Sequence, residues 1–305
     1  MFVIPDDFAR KMIALGGAEG HAWIDRLPSI LATSEQRWGL TIGPPFDLSF
    51  NYVAPALRSD GTPVVVKACL PNGETKQVEA LRFFDGHGMV RLLAWDPDDE
   101  VMLLERLRPG TLLSTEEDDE KATSLAAVVM RQLWRTVPPG LAFPAVSDWG
   151  KGFARLRQHY GGGCGPFPAA LLEEAETLFT ELNASMREPV LLHGDLHHEN
   201  ILAAEREPWL AIDPKGVLGE PAYETGALLR NQLSVVLEAP HPGRIMERRV
   251  NQLSDELSID RARVRSWGLA QAVLSVWWDI EDFGRMGDYD VATLACAELL
   301  AAIKD

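Results

Sequence analysis

The stretch "LLHGDLHHENILAAEREPWLAID", Leu191 to Asp213, decides how this chain is read. Apolar segments flank a run holding three histidines, two acids and an asparagine. Val190-Leu191-Leu192 reads as a short buried strand. Ile201-Leu202-Ala203 and Trp209-Leu210-Ala211-Ile212 read as the arms of a hairpin turning at Glu205-Arg206-Glu207-Pro208. Closing that hairpin places Asn200 and Asp213 opposite each other across one strand spacing, roughly 5 Å. Both carry hard oxygen donors of the kind Mg²⁺ prefers. Asp195 precedes them in the connecting loop, where a carboxylate can orient a hydroxyl and accept its proton.

The interval from Asp195 to Asn200 is that of a kinase catalytic loop, and His193 stands two residues before the aspartate. Asp213 follows a strand, where the metal-binding aspartate of that template belongs. A lone H-x-D means little; H-x-D-x-x-x-x-N with the hairpin and the second aspartate is a specific combination. His193 reads better as a core residue bonded to backbone than as a catalyst.

The template asks for a lysine on a strand and a glutamate on the next helix. Lys67 lies inside the apolar run "VVVKACLP", where its charge needs a partner. Glu79, on the helical stretch from about Glu74 to Phe84, is the expected partner, with Glu74 as its rival. Glu105, Arg106 and Leu107 of "LLERLRPG" are expected to present backbone groups to an adenine. No G-x-G-x-x-G lies between the first strands, so "FDLSFNYV" must cover the phosphates through Ser49, Phe50 and Asn51.

Outward from these motifs the chain divides into two lobes, 1–107 and 108–305. Residues 5–38 read as two helices broken at Gly16-Gly17. Strand pairs follow across Ser59-Asp60-Gly61 and across Asp96-Pro97-Asp98-Asp99. Beyond Pro109-Gly110 amphipathic helices dominate, near 117–136, 150–159, 168–187, 221–237, 243–257, 260–283 and 288–303. Ser114 or Thr115 is the expected cap of the helix that opens in "STEEDDEK". The expected fold class is α+β, with a small antiparallel-sheet lobe and a large helical lobe.

A chain of 305 residues with net charge −16 repels nucleic acid and anionic membranes overall, and suits a cationic small molecule. No apolar run reaches the ~20 residues of a membrane span, and the start lacks a signal-peptide pattern. Three scattered cysteines fit a reducing cytosol. Oligomeric state, monomer or homodimer, is not legible.

In "HGDLHHENIL", "IDPKG", "GEPAYE", "LLRN" and "SVWWDIED" the chain resembles the aminoglycoside phosphotransferase superfamily, which has the protein-kinase-like fold. It resembles most its streptomycin 6-kinase and hydroxyurea-resistance branch. The resemblance covers most of the chain and is strongest over 190–231. It implies ATP- and Mg²⁺-dependent phosphorylation of a hydroxyl on a small molecule, a streptomycin-type aminoglycoside first. By carry-over Asp195 is the general base, Asn200 and Asp213 hold Mg²⁺, and Lys67 holds nucleotide phosphates. Asp213-Pro214-Lys215 stands where protein kinases have D-F-G; Lys215 either touches a phosphate or pairs with an acid.

Glu224 is expected either to contact the acceptor or to brace the helix it begins. Asp279 and Asp282 share a helix face that is either solvated or a wall for a cation. Two other readings compete: a kinase of a metabolic sugar or amino alcohol, and a nucleotide-binding relative without activity. Zinc hydrolysis through His197 and His198 is a weaker one, because the order differs from H-x-H-x-D-H.

Overall fold

In the computed structural model, residues 2–71 and 75–304 are described. The chain forms two compact units, Met1–Gly110 and Thr111–Asp305.

The first unit begins with α1 (Asp6–Trp38), which kinks at Gly17, where the backbone turns to φ 55° and ψ −126°. A five-stranded antiparallel sheet follows: β1 (Leu40–Ile42), β2 (Tyr52–Arg58), β3 (Pro63–Ala68), β4 (Leu92–Asp96) and β5 (Val101–Glu105). Its spatial order is β1-β2-β3-β5-β4. Side chains alternate between faces along a strand. Tyr52, Ala54 and Ala56 of β2 and Val64, Val66 and Ala68 of β3 therefore share one face, buried with Phe8, Met12, Trp23, Leu27 and Leu31 of α1. Lys67 has the opposite parity, and there it meets α2 (Thr75–Phe84). The hairpin turn at Ser59-Asp60-Gly61 is fastened by Asp60, whose carboxylate accepts the Thr62 N–H at 2.8 Å.

The strand β6 (Pro109–Leu112) spans the join between the units. The second unit is mostly helical: α3 (Asp119–Leu133), α4 (Val146–Trp149), α5 (Lys151–His159), α6 (Ala169–Ala184), α7 (Pro221–Leu229), α8 (Leu233–Glu238), α9 (Pro242–Leu257), α10 (Arg261–Phe283) and α11 (Asp288–Ala302). α10 is its central helix, buried along most of its length. Two short strand pairs interrupt the helices: β7 (Val190–Leu192) with β10 (Val217–Gly219), and β8 (Ile201–Ala204) with β9 (Trp209–Ala211).

Two expectations change here. The single helix expected over 221–237 is divided, because Gln232 adopts a left-handed φ of 57° between α7 and α8. The cap of α3 is Asp118, whose carboxylate accepts the Glu120 and Lys121 amides; Thr115 ends a preceding 3-10 turn, Leu113–Thr115. Among the described residues no helix is long and apolar enough to cross a membrane.

Candidate active site

The loop that leaves β7 carries the site, and neutral hydrogen bonds lock it. His193 is fully buried. Its Nε2 donates to the Ile212 carbonyl at 2.7 Å, and its Nδ1 accepts the Asp195 amide at 3.2 Å. Those two roles require one neutral tautomer. Burial favours it, pushing the imidazole down to about 4. The His193 carbonyl accepts from the amides of Lys215 and Gly216, at 2.7 and 3.2 Å. One histidine thus joins the Asp195 loop to the segment after Asp213.

Glu224 braces the same loop from α7. Its Oε2 accepts the His193 amide at 2.7 Å and its Oε1 the Gly194 amide at 2.9 Å. It is 0% exposed. The acceptor contact expected of Glu224 is therefore corrected: its carboxylate faces the loop backbone. Burial raises this carboxyl to about 7 against the amides that favour its charged form. Gly194 sits at φ 88°, and a Cβ there would lie 2.8 Å from the Trp149 ring and 3.0 Å from Val217. The turn needs glycine both for its backbone and for room.

Asp195 emerges from this frame with its side chain 26% exposed. Arg230 Nη2 donates to its Oδ1 at 2.8 Å, and His197 Nε2 lies 3.9 Å from its Oδ2. Burial pushes the Asp195 carboxyl up, but Arg230, with His197 and Lys215 behind it, holds the group below the usual carboxylate range. Asn200 closes the loop by donating from Nδ2 to the Asp195 carbonyl at 2.9 Å, with His197 Nε2 3.2 Å from the same nitrogen. Its amide is thereby oriented with the nitrogen toward the loop.

The β8–β9 register pairs Ile201 with Ala211, and the Ile212 amide donates to the Asn200 carbonyl at 2.9 Å. Asn200 thus stands opposite Ile212 rather than Asp213. Asp213 comes one residue later and leaves the strand with a left-handed φ of 62°. The two proposed metal ligands are diagonal neighbours, because the hairpin closes one residue out of the expected register. Their chemistry fits Mg²⁺: a carboxylate and an amide whose nitrogen is already engaged, which leaves oxygen as its ligating end. His197 and His198 do not act together. His198 is buried, near Arg249 and Asp119, and its burial pushes it down to about 3.

On α10, Trp277 is buried against His159 and Tyr160, while the half-buried Trp278 packs edge-on against Trp149. Asp279 meets Asp290 of α11, which is 4% exposed and takes the Gly287 amide at 2.7 Å. Burial, then the Asp290 carboxyl, raises Asp279 to about 7; the Arg230 guanidinium pulls the other way. Asp282 is exposed, and desolvation shifts it up less far.

In the first unit, Lys67 Nζ donates to Gln77 Oε1 at 2.7 Å, both residues buried. Glu79 points elsewhere and pairs with Lys76 at 2.8 Å on the surface. The expected Lys67–Glu79 pair is therefore corrected: positions 77 and 79 differ by about 200° around a helix, so only one can face the strand. The rival, Glu74, lies outside the described residues. Ser49 is exposed and Asn51 half-buried, in the connection between β1 and β2. The Glu105 amide donates to the Arg91 carbonyl at 2.9 Å, and Leu107 is buried.

Comparison with known proteins assigns the chain to one family. The model of the aminoglycoside/hydroxyurea antibiotic resistance kinases matches residues 41–283. The chain belongs to that family. It is 35% identical over 297 residues to a streptomycin 6-kinase of Streptomyces glaucescens, covering 96% of each chain. It is 34% identical over 285 residues to a hydroxyurea phosphotransferase of Kitasatospora aureofaciens, covering 92% of this chain and 81% of that one. In fold it is similar to a thermostable variant of aminoglycoside phosphotransferase APH(4)-Ia, solved with ADP and hygromycin B. That likeness has a TM-score of 0.63 at 14% identity and covers 88% of this chain and 96% of the other. The protein-kinase-like α+β fold of this kinase is thereby shown.

Three residues of the site carry no signal that motif reading found. Gln77 is neutral, so a search for an acid passes over it. Arg230 lies in the quoted "LLRN" but has no role in the kinase template. Asp290 is an ordinary first-turn acid until α10 packs beside it.

Proposed function

We propose that this kinase transfers the γ-phosphoryl group of ATP to a hydroxyl of a streptomycin-type aminoglycoside in the cytosol. The carrying observation is the linked set His193, Asp195, Asn200 and Asp213, built on one loop and hairpin and braced by Glu224. Asp195 orients the acceptor hydroxyl and takes its proton late, as suits a carboxylate held at low basicity beside an arginine. Its Oδ2 is the oxygen for that task, since Oδ1 is held by Arg230. Asn200 and Asp213 are the residues that would hold Mg²⁺, which when bound neutralises phosphate charge. Unit Met1–Gly110 serves the nucleotide, through Lys67 at its phosphates. Unit Thr111–Asp305 serves catalysis and the acceptor.

The acceptor reading rests on charge. One buried guanidinium, Arg230, stands beside the Asp195 carboxylate and acts on that of Asp279, which in turn meets Asp290. A guanidinium or ammonium group of the acceptor would complete the neutralisation, and guanidinium groups match carboxylates in a bidentate way. Asp279 is the first such contact, with Asp282 at the rim.

The test is ADP release with Mg-ATP across streptomycin, other aminoglycosides, hydroxyurea and simple sugars, with Asp195→Ala beside the wild type. Streptomycin-dependent ADP release that needs Mg²⁺ and Asp195 is expected. Release driven by a sugar alone would favour the metabolic-kinase reading.

A further inference from the structure

An arginine at the end of a helix is ordinarily a solvated cation near the last carbonyls. Arg230, which follows α7, is instead 8% exposed, and three helices are arranged around it. From α7 itself, its Nη2 reaches Asp195 Oδ1 at 2.8 Å. From α10, the fully buried Gln271 donates through Nε2 to the Tyr223 carbonyl at 3.3 Å, which turns its Oε1 toward Arg230 Nε at 3.4 Å. From α11, the Tyr289 hydroxyl donates to the Arg230 carbonyl at 3.4 Å. Gly226 makes the arrangement possible: a Cβ there would lie 2.5 Å from Gln271 Oε1.

We infer that Arg230 is a positioning residue of the phosphotransfer reaction, dividing the labour of the two Asp195 oxygens. The guanidinium holds Oδ1 through one charge-assisted hydrogen bond, which opposes rotation of the carboxylate about its terminal bond. Oδ2 is then the single oxygen presented to the acceptor hydroxyl. In this role Arg230 acts through Asp195 and needs no contact with acceptor or nucleotide. A charge-assisted bond to a buried planar cation has the directionality this requires, and a point-charge ammonium does not. The inference rests on the reading of Asp195 as the acceptor-orienting base.

The experiment compares Arg230→Ala, Arg230→Lys, Asp195→Ala, Asp195→Asn and the double variant Arg230→Ala/Asp195→Asn, using Mg-ATP and streptomycin. Circular-dichroism melts establish that each is folded. Arg230→Ala is expected to lower kcat by about 10²-fold, the scale of a misplaced catalytic group, with KM for ATP unchanged. Millimolar guanidinium should restore part of that loss, and should restore nothing in Asp195→Ala. In the Asp195→Asn background the Arg230 change should add no further loss. Arg230→Lys, which keeps the charge and secures the test if the alanine variant unfolds, should remain well below wild type. Wild-type kcat in a folded Arg230 variant, beside an inert Asp195→Ala, would overturn this inference alone. So would a loss that guanidinium leaves untouched and that adds in full to Asp195→Asn. Wild-type turnover by Asp195→Ala would overturn the underlying reading, and this inference with it.

Discussion

Glu224 holds two successive amides of the catalytic loop, those of His193 and Gly194, with one oxygen each. A buried amide left without an acceptor costs about 1–3 kcal/mol. Glu224→Ala should therefore lose several kcal/mol of stability, about 2–6 on that scale, and most of its turnover. Glu224→Gln keeps one acceptor and turns an NH₂ on the other amide; an intermediate loss is expected. Urea denaturation and kcat measured side by side check both.

The same residue sets a pH dependence of stability. Its ordinary value of 4.5 is raised to about 7 in the fold. Between those values the folded protein holds a proton that the unfolded chain has released. The contribution of Glu224 to stability therefore falls as pH rises from about 4.5 to 7 and levels above that. Urea midpoints measured from pH 5 to pH 8 should show this slope, and Glu224→Gln should flatten it.

If Asp279 contacts the acceptor as proposed, it should link pH to acceptor binding. Burial, and then the neighbouring Asp290, raises its carboxyl from the ordinary 3.8 to about 7. As pH rises through that point the pair gains a negative charge, so KM for streptomycin should fall while KM for ATP stays level. Asp279→Asn should raise KM for streptomycin about tenfold, the loss of one charge-assisted contact, and abolish the pH trend. Asp282→Asn, at the exposed rim, should change it little.

Gly194→Ala places a Cβ against the Trp149 ring on a left-handed backbone. The backbone alone costs about 1–2 kcal/mol, and the clash adds to it. Turnover should be lost because Asp195 is the next residue. A crystal structure or kcat of the variant decides.

Gln77→Leu removes a buried hydrogen bond to the Lys67 ammonium. A bond to a charged group contributes about 1.5–3 kcal/mol, so a loss near 2 is expected. KM for ATP should rise. Glu79→Ala, which breaks only a surface pair, should leave both unchanged.

The legible part of this protein was carried by local patterns. H-x-D-x-x-x-x-N, the flanking apolar strands and the turn at Ser59-Asp60-Gly61 depend on neighbours a few residues apart, and periodicity reports them directly. The sequence by itself thus determined the fold class and pointed to Asp195, Asn200, Asp213 and Lys67. Partner choice over long separations was a different matter. Gln77 rather than Glu79 meets Lys67 because the rotation of α2 on the sheet is set by packing of Val78, Leu81 and Phe84. Glu224 faces the loop, and Arg230 and Asp290 gather near Asp195 and Asp279, because α7, α10 and α11 pack side by side. No spacing in the chain encodes those meetings; only burial of the helices against one another decides which polar groups must find each other away from water.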